Sequence, residues 1–196
     1  MVKNKILISF AIVLVTVILL EIKVYAATPT FNCKCTRGVN GYYYKDSSVM
    51  TYSDHIDNAR WNWEHTGVGA NPIYLTLKDN TQGTIVDFYG EDGTFWGIYA
   101  HRILAETVYF NGSGTILNPD TSNWLYSEIH VNNDTMSKIN DQERQGTMSH
   151  ELGHAFGLAH WPDDNVNQYS IMCQLLQGRK VFTVQPVDNE AINLKY

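Results

Sequence analysis

The chain predicts one α+β domain, a mixed α/β arrangement in which a twisted, mixed sheet of about five strands packs with two long helices. Three observations carry that expectation. Alternating runs of β-branched and aromatic residues fall before residue 133, apolar residues with helical spacing recur at 53–64 and 140–157, and no repeat, linker or low-complexity tract divides the chain. Residues 27–196 suffice for a single well-buried core and leave no room for a second domain.

The first 26 residues read as a separate element. Lys3 and Lys5 precede an apolar run over residues 6–20, relieved only by Ser9 and Thr16, and Val24-Tyr25-Ala26 closes it with a small residue. These are the three regions of a secretory signal peptide, with cleavage after Ala26 and release to the extracellular space. The competing reading, an uncleaved anchor, meets a run that is short for a membrane-spanning helix. Cleavage removes three lysines and one glutamate, so residues 27–196 keep 11 basic and 19 acidic side chains, a net charge of −8. Such a balance argues against nucleic acid or an anionic membrane as a partner, and a monomer is expected.

Residues 27–41 are rich in turn formers without an apolar period and read as an N-terminal extension. One or two short strands are expected over 42–44 and 49–52. Ser53 or Asp54 caps the first long helix, with Ile56, Ala59 and Trp63 on its inner face and Gly67 beyond its end. Strands follow at 73–77 and 84–88, then a glycine-rich acidic loop over 89–97, and a third good strand at 98–104 that makes His101 an ordinary strand residue. Asp87, Glu91 and Asp92 are candidate calcium ligands, although their spacing is not that of a regular calcium loop. Residues 107–110 and 115–117 pair as a hairpin through Asn111-Gly112-Ser113-Gly114. A last strand spans 127–132, where His130 alternates with Ile129 and Val131 and so faces solvent or cleft. Asn140 and Glu143 have capping-box spacing at the start of the second long helix, which runs to Gly157, and residues 186–196 form a closing amphipathic piece.

The remaining chemistry is concentrated in His150-Glu151-Leu152-Gly153-His154-Ala155-Phe156-Gly157-Leu158-Ala159-His160. On a helix His150 and His154 lie one turn apart on one face, so both imidazoles reach one metal ion while Glu151 is turned away from it. Gly157 can adopt the left-handed conformation that ends the helix and brings His160 round. Three neutral imidazoles are a set suited to catalytic zinc, and leave Glu151 free as a general base.

This pattern, together with Ser170-Ile171-Met172 after it, is similar to the metzincin zinc peptidases, whose second mark is a methionine turn beneath the metal, here Met172. Thr147-Met148-Ser149 before the motif and Asp188-Asn189-Glu190-Ala191-Ile192 near the end resemble the matrixin branch, particularly its short bacterial secreted members. The resemblance implies a zincin-type domain with a backing helix and a metal-binding helix, one catalytic Zn2+ on His150, His154 and His160, and endopeptidase action on proteins or peptides. It also implies that the strand at 127–132 is the antiparallel edge along which an extended substrate pairs, and that the loop with Leu175 and Leu176 forms an apolar pocket. Some metzincins carry a tyrosine ligand two residues after the methionine. Gln174 stands there, so no tyrosine ligand is assigned. A binding or adhesion protein with an inactive site and a zinc-dependent amidase are the alternatives, and the presence of Glu151 speaks against the first.

Cys33, Cys35 and Cys173 are an odd number in a chain bound for an oxidising compartment. The expectation is one disulfide from Cys33 or Cys35 to Cys173. A zinc-capping thiol, the latency device of matrixins, needs a Pro-Arg-Cys-Gly type sequence that the segment around Cys33 lacks.

Overall fold

The computed structural model describes residues 27–67, 69 and 71–196, so the signal-peptide reading of residues 1–26 lies outside the described residues. The strands are β1 (Asn40–Lys45), β2 (Tyr74–Lys78), β3 (Val86–Glu91), β4 (Ala105–Phe110), β5 (Ile116–Leu117) and β6 (Tyr126–Asn132). They form one six-stranded sheet in the order β2-β1-β3-β6-β4-β5. β2, β1, β3 and β6 run parallel, and β4 is antiparallel to both β6 and β5. The helices are α1 (Ser53–Glu64), the short α2 (Gly93–Trp96) and α3 (Asn133–Met136), α4 (Asp141–Ala155) and α5 (Pro186–Lys195).

Parallel neighbours need a crossover, and α1 supplies the one between β1 and β2. It packs on α4, and Trp63 fixes the pair: its indole N–H donates to Ser149 O at 2.8 Å and its ring meets Phe156 edge-on. Ile56, Ala59 and Trp63 of α1, Met148 and Leu152 of α4, and Tyr43, Phe88 and Ile129 of the sheet share one buried core. Removing these apolar surfaces from water is the main stabilising term of the domain.

Several expectations are corrected. Residues 49–52 belong to a 3-10 turn over Ser47–Tyr52 rather than to a strand, and α1 is capped at Tyr52 with no side-chain bond, Ser53 and Asp54 lying inside its first turn. Residues 98–104 are not a strand. α2 and a 3-10 turn over Gly97–Tyr99 occupy this stretch, Gly97 has φ +55, and the strand begins only at Ala105. The carbonyls a ladder would use are taken by side chains: Asn132 donates to Ala100 O and Ile103 O, and Thr135 to Ile103 O. His101 is accordingly an exposed turn residue beside Arg102. Nor is β6 an edge, since β3 and β4 flank it. The antiparallel strand with a free side is β4, because β5 pairs only with Tyr109 and Phe110 and leaves Ala105 to Val108 open among the described residues.

The expected disulfide is absent and all three thiols are free. Cys35 is held beside Leu125 and under the Tyr196 hydroxyl, whereas Cys173 is buried directly after Met172 with its thiol on Gln174 O. The acidic trio is dispersed too: Glu91 bonds His130, Asp92 caps Thr94 N of α2, and Asp87 lies buried on β3. They form no cation-binding group among the described residues.

His130 lies on the sheet face away from α4, bonded to Glu91 at 2.9 Å and Glu128 at 3.3 Å and stacked between Tyr89 and Phe95. Burial by itself would lower its pKa, but the two carboxylates outweigh this and hold it above its ordinary 6.5. The stability the charged pairing adds is therefore complete below 6.5 and is lost as pH rises through the raised value. Urea unfolding of wild type and His130→Gln should show a gap between the two that narrows from about pH 6 into the alkaline range. A gap independent of pH would mean that His130 is uncharged in the fold.

Candidate metal centre

The centre begins with a well-specified helix start. Asn140 caps α4 by accepting from Glu143 N, while the Glu143 carboxylate accepts from Asn140 N, as its capping-box spacing predicts. From Gly146 to Ala155 every residue of α4 is buried, so its last turns run through the core rather than over it. The helix stops at Phe156, and Gly157 turns the chain with φ +96, a conformation open to glycine at little cost. Leu158 N then closes on Gly153 O at 2.9 Å, and His160 comes back over the helix.

The three Nε2 atoms converge. They stand 3.0 Å apart between His150 and His160, 3.1 Å between His150 and His154, and 2.9 Å between His154 and His160. The tautomers follow from the other ring nitrogens. Nδ1 of His150 faces Ile171 O and Nδ1 of His154 faces Leu158 O, each at 2.8 Å, and only an N–H can bond a carbonyl. Their Nε2 atoms are therefore bare lone pairs directed at one another. That arrangement is repulsive unless a cation stands between them, and the separations lie near the ~3.3 Å expected for nitrogens around a tetrahedral ion with 2.0–2.1 Å bonds. Burial, followed by the neighbouring imidazoles, drives His150 well below its ordinary pKa, and burial drives His154 to about 3, so both stay neutral as ligands must. His150, His154 and His160 are thus close enough to hold a metal ion, and no other such group exists among the described residues.

Met172 is fully buried beneath the centre, with its sulfur against the Gly153 backbone: a Cβ on Gly153 would lie 2.4 Å from Sδ. Asp188 of α5 holds this turn. Its carboxylate accepts from Thr28 and Ser170 hydroxyls, from Ile171 N at 2.9 Å and from Gln185 N at 3.0 Å. Glu151 is 6% exposed and belongs to the same cleft, where the Thr107 hydroxyl donates to its carboxylate at 2.7 Å. Burial raises its pKa to about 7 despite the Thr107 bond. Neither a family model nor any curated protein matches this chain.

The cleft holds a cavity of about 430 Å³ bounded by the three histidines, Glu151, the β4 segment from Ala105 to Thr107, Phe31 and the loop from Gln174 to Arg179. The residues at 27–41, read as an extension, are in fact built into its wall: Phe31 N bonds Gly157 O, Ala159 N bonds Pro29 O, and the Phe31 ring lies 5.9 Å from that of His154. His130 takes no part. Phe31 and Thr107 were invisible in the linear motif, because each enters the site from a distant segment, whereas Arg179 lies within the 172–180 loop expected to line the pocket. Asp188 at least stood in the closing stretch that resembled the matrixins.

Proposed function

We propose that this chain is a secreted zinc endopeptidase of the metzincin type, nearest in kind to the short matrixins. The observation that carries the proposal is the convergence of three Nε2 atoms, those of His150 and His154 bare, beside a buried glutamate in a cleft along the open side of β4. A zinc ion held there would acidify a water molecule and polarise the carbonyl of the bond to be cut. The part of Glu151 is proton transfer: its carboxylate accepts the proton of the attacking water and returns it to the leaving amine. Thr107 orients that carboxylate through its hydroxyl. Ile171 O and Leu158 O orient the imidazoles through their Nδ1–H groups. The side of Ala105 to Val108 turned away from β6, open among the described residues, offers an extended peptide main-chain partners, which favours a protein substrate over a small amide. The signal-peptide pattern of residues 1–26 supports a reaction outside the cell.

The direct test is hydrolysis of a denatured protein by the purified chain after removal of residues 1–26. Activity should follow bound zinc at one ion per chain, vanish with a chelator and return with added zinc. A zinc-loaded chain that cuts neither protein nor peptide would sink the proposal in favour of a binding protein.

A further inference from the structure

We propose that Arg179 makes the pocket beside the metal centre select a carboxylate, borne either by an Asp or Glu side chain after the cleaved bond or by the free C-terminus of a peptide. The bond-cleaving part of this statement rests on the peptidase reading; the carboxylate site does not.

Leu175 and Leu176 line the cavity as expected, although Leu176 is 90% exposed, and the charged side chain of the same loop that lines it is Arg179. Arg179 lines the same cavity as the three histidines and is only 6% exposed. Its Nε and Nη2 have no hydrogen-bond partner, and its one bond is a long 3.5 Å contact from Nη1 to Ile171 O. Burial lowers its pKa to about 10, which leaves it a cation at neutral pH. It forms no ion pair among the described residues. Glu151, which lines the same cavity, is engaged by Thr107 instead.

A guanidinium withdrawn from water with its N–H groups unmatched is costly, and a purely structural arginine would satisfy them from the protein. The helix also makes room for it. A Cβ on Gly146 would lie 2.8 Å from Nη2 of Arg179 and 2.9 Å from Phe182, so α4 presents bare backbone where the guanidinium rests. Nε and Nη2 are themselves withdrawn from solvent, so the guanidinium acts on the cavity as an uncompensated positive charge at its wall, and a carboxylate is the form in which a peptide carries the matching negative charge. Arg102 and Glu106 line the same cavity with opposite charges, so the unpaired charge there is that of Arg179.

Two libraries of peptides, one amidated at the C-terminus and one with free acids, would be cut with the zinc-loaded protein. In the amidated set Asp and Glu should exceed Asn, Gln and Leu after the cut by roughly 10-fold or more, the scale of one charge-assisted hydrogen bond. Enrichment confined to free acids would assign the carboxylate to the peptide terminus. Preference for apolar or neutral residues in both sets would overturn the proposal. Arg179→Met should bring the ratio near unity, and Gly146→Ala, which displaces the guanidinium while leaving it present, should lower it in part. Zinc content and urea midpoint report whether each variant folds, and if Arg179→Met does not, Gly146→Ala decides. A second readout needs no cleavage: succinate titrated into the 15N-labelled protein should move the Arg179 Nε–Hε resonance, and succinamide should not. Movement by succinate in a protein that cuts nothing would keep the carboxylate site and reject the peptidase reading, whereas no movement at millimolar succinate would overturn the site itself.

Discussion

Replacing Glu151 by alanine is expected to leave a folded protein that still carries its metal and to reduce hydrolysis by about 100-fold or more. The two effects separate because Glu151 does not belong to the ligand group: the converging atoms are Nε2 of His150, His154 and His160, oriented by Ile171 O and Leu158 O. Removing the carboxylate takes away the proposed proton acceptor and leaves the Thr107 hydroxyl its second partner, Glu151 O at 3.1 Å, with no imidazole disturbed. His154→Ala should behave oppositely and lose the metal itself. Metal content measured beside hydrolysis for wild type, Glu151→Ala and Glu151→Gln makes the comparison. An alanine variant as fast as wild type would remove Glu151 from the mechanism.

The second large effect is on stability. Asp188→Ala should lower the unfolding free energy by about 3 kcal/mol or more, since a buried acceptor of four hydrogen bonds disappears. The hydroxyls of Thr28 and Ser170 can rotate toward other partners. The amides of Ile171 and Gln185 cannot, and each would be left unsatisfied at about 1–3 kcal/mol. Because Ile171 also supplies the carbonyl that orients His150, metal affinity should fall with stability, by about 10- to 100-fold as for other outer-shell losses. Urea unfolding with a metal titration reads both. A loss below about 1 kcal/mol would show that the turn holds without this carboxylate.

What could be read from the sequence was what depends on nearby residues. The capping box of Asn140 and Glu143, the one-turn spacing of His150 and His154, and the glycine at 157 are local rules, and each is obeyed. The strands at β1, β2, β3 and β6 and the β4–β5 hairpin also announced themselves by alternation. Residues 98–104 did not follow their own pattern because Asn132 and Thr135, about thirty positions away, claim their carbonyls. Sheet order is likewise non-local: 127–132 had the composition of a strand, but nothing in it could say that β4 would cover its outer side. Arg179 shows the limit most clearly. A charged residue in a loop reads as surface, and only its juxtaposition with Gly146 explains why it is inside.

The bond between Thr28 and Asp188 joins residues 160 positions apart, and its neighbours at Pro29 and Phe31 close on Gly157 and Ala159. A chain made from its N-terminus can assemble β1, β3, β6 and α4 while the rest is still being synthesised. The segment around Thr28 must wait, because the carboxylate that receives Thr28 and steadies the turn under the histidines lies in α5, far down the chain. The cleft is thus completed only once α5 has been made, and a chain truncated before Pro186 would hold all three imidazoles without the clasp that sets them.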